Sequence, residues 1–245
     1  MDFDSFVLCA STADLGAEPA AREHADAVEF RMDLADEPLA QLEAYDGELP
    51  LLVTNRVEWG GGEAPDDEAR IDALVEAIDH SAVEAVDVEL DALDEGLLED
   101  LLDVDPVDPE RVVEHARESG VSVVVSAHDF EAMPGRDSVR RVLMRAAEFG
   151  DVAKFAGTAE TVGDALDLLA VTHERTEAGD VVATMAMGEP GRHTRAVAPV
   201  YGSRIGYAPV DPARATAPGQ YDLATLRSLV DRLQSAAPEA SGTED

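Results

Sequence analysis

The chain has 245 residues, one cysteine and a formal net charge of −35. Cys9 alone excludes an internal disulfide, and the acidic balance lacks the basic footprint that nucleic-acid phosphates demand. No apolar stretch approaches the ~20 residues that span a bilayer, and Met1-Asp2-Phe3-Asp4 is no signal-peptide start. The expectation is a reducing, cytoplasmic setting with neither a membrane nor a nucleic-acid partner.

Short, nearly continuous apolar runs punctuate the chain, as buried parallel strands do. The first covers residues 6–11 and the second 27–33, followed by a short helical piece at 37–44. A third run at 50–56 precedes a helical pattern at 66–78. A fourth at 85–90 is followed by a weaker helical piece at 94–102 and a clear one at 109–119, with Asp108 as its expected N-cap. Runs at 122–128 and 152–157 are followed by helical patterns at 137–149 and 161–177. Runs at 180–187 and 204–210 precede a last helix at 219–234. Eight strands alternating with helices predict a (β/α)8 TIM barrel, and about 250 residues is its usual size. An open doubly wound sheet would want a glycine-rich phosphate turn after its first strand, which is missing. One barrel domain over residues 1–234 and an acidic, disordered tail over 235–245 complete the expected organisation. The scattered acids read as a solvated surface of the kind suited to high salt.

In such barrels chemistry sits at the C-terminal strand ends. Glu29, Arg31 and Asp33 alternate, so they share a face that looks into the lumen, as substrate contacts or as a structural ion pair. Arg56 follows the third strand beside Gly60-Gly61-Gly62 and suits an anion. His128 closes an apolar run and is the histidine best placed for proton transfer. Among the 18 basic residues, Lys154 is the one lysine beside 17 arginines, and it lies inside a strand. Arginine does not readily become a nucleophile, whereas a lysine desolvated in a strand is favoured in its neutral, nucleophilic form. The loop 187–195 offers Arg192 and Arg195 as an anion cradle, and Thr216 and Gln220 flank the Pro218-Gly219 turn. No phosphate loop, HExxH, CxxC or GxSxG motif is present, so no cofactor and no metal are expected.

Taken in order, Glu29-x-Arg31-x-Asp33, Ser126-x-His128-Asp129-Phe130, Asp151-Val152-x-Lys154, Met187-Gly188-x-x-Gly191-x-x-Thr194-Arg195 and Ala217-Pro218-Gly219-Gln220 form a pattern. It resembles type I 3-dehydroquinate dehydratase of the shikimate pathway, over residues 6 to 234. The resemblance implies 3-dehydroquinate as substrate, Lys154 as the imine-forming amine and His128 as general acid/base. It implies that Arg195 binds the substrate carboxylate and that Glu29, Arg31, Arg56 and Gln220 line the ring, with Thr216 keeping a hydroxyl where many members have serine. Ser11 is the expected strand-one contact, and Glu58 the nearest match to a glutamate that orients the histidine. A homodimer is also suggested by the resemblance, and residues 208–217 are the expected lid. Two other readings fit the residues alone: a lysine-dependent aldolase on the same barrel, and a non-catalytic carboxylate-binding barrel.

Overall fold

The structure is a computed structural model and describes residues 1–93, 109–211, 213 and 219–235. Among these, eight strands form one parallel sheet: β1 (Val7–Thr12), β2 (Ala27–Arg31), β3 (Leu51–Thr54), β4 (Val83–Glu89), β5 (Ser122–Asp129), β6 (Val152–Thr158), β7 (Val182–Met187) and β8 (Ile205–Pro209). From β1 to β7 each strand hydrogen-bonds the next in the chain, and β1 also pairs with β8. The remaining seam closes at the base: Arg204 N–H donates to Val182 O at 2.7 Å, and Thr184 N–H to Ser203 Oγ at 3.0 Å. The result is a single-domain (β/α)8 barrel.

Eight α-helices are described: α1 (Pro38–Glu43), α2 (Glu68–Ile78), α3 (Leu90–Leu93), α4 (Glu110–Ser119), α5 (Arg136–Phe149), α6 (Val162–Glu177), α7 (Thr194–Val197) and α8 (Leu223–Gln234). Their starts follow local chemistry. Asp67 caps α2 by accepting from Arg70 N–H. Thr161 and Asp164 form a reciprocal capping box on α6. The last helix begins at Leu223 rather than 219, because Asp222 is its cap and accepts from Thr225 N–H. Pro109 stands at the N-cap position of α4. Asp108, the helical piece expected at 94–102, Thr216, half of the expected lid and the tail beyond 235 lie outside the described residues.

Strand parity sorts the side chains into two layers. Val28, Phe30, Leu51, Val53, Val86, Val88, Val123, Val125, Ala153 and Phe155 pack outward under the helices. Ala27, Leu52, Ala85, Val124 and Val152 fill the lumen floor with Cys9, while Ala156 and Tyr207 face the cleft. Positions of the same parity nearer the strand ends are polar: Glu29, Thr54, Asp87, Glu89, Ser126, His128 and Lys154. The expectation for Asp33 needs one correction. β2 ends at Arg31, and Asp33 belongs to a 3-10 turn over Met32–Leu34. Its carboxylate still returns to Arg31, accepting from Nε at 2.8 Å and Nη2 at 2.6 Å.

Candidate active site

Registered pairing brings the polar ends of β2 to β6 together. Ser126 sits beside Lys154 across β5–β6, and Glu89 beside Ser126 across β4–β5. Lys154 points into the lumen and is nearly inaccessible. Its surroundings differ from the apolar strand expected: Nζ donates to Asp87 Oδ2 at 2.8 Å and lies 4.4 Å from the centroid of the Tyr207 ring. A buried amine thus gains a counter-ion below and an aromatic face beside it.

Asp87 is the hub. Besides Lys154, its Oδ1 accepts from Arg56 Nη2 at 2.8 Å and from Ser126 Oγ at 2.6 Å. Burial opposes the charge of this carboxylate, but the adjacent Arg56 and Lys154 outweigh burial and hold its pKa well below the usual range. Arg56 Nη1 in turn donates to Glu89 Oε1 at 3.0 Å, to Ser126 Oγ at 3.2 Å and to His128 Nδ1 at 3.1 Å. A guanidinium only donates, so Nδ1 accepts and the neutral imidazole carries its proton on Nε2. Burial, then repulsion from Arg56 and Lys154, lowers the His128 pKa well below its ordinary value. Phe130 stacks parallel on the ring, centroids 5.7 Å apart.

Of the nine residues expected at the site, seven line one cleft: Lys154, His128, Glu29, Arg31, Arg56, Arg195 and Gln220. Thr216 is outside the described residues. Ser11 is buried and gives its hydroxyl to Glu29 Oε2, so it braces Glu29 and does not line the cleft. Thr54 Oγ1 donates to the other oxygen of Glu29 at 3.2 Å. Arg195, on α7, is held as that helix starts: the Thr194 hydroxyl accepts from Ala186 N–H and donates to Gly191 O. Burial pulls the Arg195 pKa down to about 10. Glu58 is exposed on a 3-10 turn rather than facing His128. Sequence reasoning passed over Asp87, Glu89 and Tyr207. The signal available was the alternation Asp87-Val88-Glu89, which puts two acids on one face of a buried strand.

Among the described residues, no cluster of His, Cys, Asp or Glu suits a metal ion, and no helix is long and apolar enough to cross a membrane. Fold and site together define a barrel enzyme whose mouth sets one amine and one imidazole among arginines. A family profile described as Type I 3-dehydroquinase matches residues 10–236. The chain belongs to that family. It is 61% identical over 237 residues to the 3-dehydroquinate dehydratase of Haloarcula marismortui, covering 97% of this chain and 100% of the relative. Identity to the protein of the same name from Halobacterium salinarum is 52%, over 96% and 100%. A crystal structure of 3-dehydroquinate dehydratase from Geobacillus kaustophilus superimposes with a TM-score of 0.77 at 27% identity, over 94% of this chain and 92% of that one. The acidic surface accords with the haloarchaeal source of the first two.

Proposed function

We propose that the chain converts 3-dehydroquinate to 3-dehydroshikimate, a hydro-lyase reaction of the shikimate pathway, through an imine on Lys154. The Lys154 ammonium gives up a proton, the freed amine attacks the substrate ketone, and the carbinolamine takes that proton on its oxygen and loses water to leave an iminium. An iminium is a stronger electron sink than a ketone, so the adjacent C2 proton becomes removable. His128 is the group suited to take that proton. Its one basic lone pair, on Nδ1, accepts from Arg56 Nη1. Withdrawal of Arg56 toward the substrate uncovers it. The resulting enamine expels the β-hydroxyl, which leaves as water with the proton that His128 returns. A second water hydrolyses the conjugated iminium and frees Lys154.

Asp87 serves as counter-ion, first to the ammonium and then to the iminium that replaces it. Arg195, deep in the cleft, is the clamp for the carboxylate, and Glu29, Arg31 and Gln220 are placed to meet the ring. The setting proposed is the reducing cytoplasm, in keeping with the buried free thiol of Cys9.

The observation that carries this reading is that Lys154 and His128 line one cleft and are bridged by Asp87 and Arg56. Borohydride added with 3-dehydroquinate should reduce the imine and leave a stable mass adduct that maps to Lys154. Turnover without any such adduct would exclude the covalent route.

A further inference from the structure

The proposed chemistry leaves one buried carboxylate without a task. β4 presents Asp87 and Glu89 on the same face, and Asp87 is engaged by Lys154, Arg56 and Ser126. Glu89 does not line the cleft. It is 3% exposed, and an ionisable group so deep is costly unless its position is used.

Its contacts indicate the use. Arg56 Nη1 is shared between Glu89 Oε1, at 3.0 Å, and His128 Nδ1, at 3.1 Å. The second oxygen, Oε2, has no hydrogen-bond partner and lies 3.5 Å from Arg70 Nη1. Arg70 reaches in from α2, donates to Asn55 O at 3.3 Å and pairs with Asp66. A bare backbone closes the arrangement: a Cβ on Gly60 would lie 3.3 Å from Glu89 Cγ and 3.6 Å from Arg56 Cγ. The guanidinium that meets the imidazole is thus pinned on its far side by one carboxylate, itself braced from outside the lumen.

We propose that Glu89 is a positioning residue: it holds Arg56 Nη1 against His128 Nδ1 and thereby sets the orientation of the imidazole, with Arg70 as its brace. This inference rests on the role given to His128 above. Asp87 does not replace Glu89, because it binds the other nitrogen of the guanidinium, Nη2. The orientation is therefore set in the resting site, before the withdrawal of Arg56 from Nδ1 proposed above.

Glu89→Gln keeps the side-chain shape and removes the charge. The expected result is a loss of kcat of about 10²-fold, as a small misplacement of a catalytic group produces, with KM little changed. Borohydride should still trap the Lys154 adduct, since Asp87 is untouched, and Glu89→Asp should recover part of the rate. A Glu89→Gln enzyme with the parent kcat overturns the proposal. So does one that loses rate, adduct and melting temperature together, because that is the mark of a structural ion pair. If Glu89→Gln fails to fold, Arg70→Gln cuts the same support from outside and is read the same way; failure of both to fold also overturns it. Absence of the adduct in the parent enzyme would instead remove the imine reading, which is a separable outcome.

Discussion

His128 shows how a residue's neighbours set its chemistry. Three cations face it: Arg56 from the end of β3, Lys154 from β6 and Arg31 from β2, with Asp87 of β4 the opposing anion. Burial acts first and these charges add to it, so the ring stays neutral at a pH where an exposed histidine has taken a proton. A neutral ring is what a base requires. The acid limb of kcat/KM should therefore lie below the ordinary histidine value of ~6.5. The same shift opposes folding in acid. Between the folded pKa and ~6.5 the unfolded ring binds a proton that the folded ring refuses, so stability contributed at this residue declines as pH falls through that window. Rate measurements from pH 4 to 8 at fixed high salt test the first point; an acid limb at or above ~6.5 would mean that the arginine contact does not persist in solution.

At the scale of elements, the β3–α2 loop shows how backbone geometry reaches the imidazole. Gly61 has φ of +83°, and a Cβ there would lie 2.3 Å from the Phe130 ring, which itself stacks on His128. Gly61→Ala should cost ~1–2 kcal/mol from the left-handed backbone alone and push Phe130 off the imidazole. Denaturant unfolding in high salt reads the first effect and kcat the second; an alanine enzyme with the parent stability and rate would show that the loop relaxes freely. Elements such as these were legible in sequence because their signals are local. Each strand is an apolar run found to within a residue or two, and Thr161 stands at the start of the helical pattern read from 161. The lysine stood out by being alone among arginines. What stayed hidden is non-local. Arg56 reads as a free anion clamp until closure of the barrel brings Asp87 and Glu89, 31 and 33 residues away, and His128, 72 away, against its two terminal nitrogens. Asp87 and Glu89 lie inside the run at 85–90 and went unremarked, since nothing adjacent in sequence marks their partners.

Across the whole molecule, the charge of −35 raises a difficulty for an enzyme of an anionic substrate. The cleft does not offset it by itself. Arg31, Arg56 and Lys154 are each paired with a carboxylate, and Glu29 adds another, so their charges are largely offset within the cleft. An approaching anion therefore meets the field of the surface acids, whose range is set by ionic strength: about 10 Å at 0.1 M and 3 Å at 1 M. Electrostatic steering changes encounter rates on the order of 10- to 10³-fold, and here it acts against the substrate until salt screens it. The expected outcome is a KM for 3-dehydroquinate that falls as KCl rises, while kcat, governed by the screened interior of the cleft, changes little. Chloride competing for Arg195 would produce the opposite trend, so the two effects are separable in one titration. A KM that climbs steadily with KCl would mean that the local clamp, and not the surface field, controls capture of the substrate.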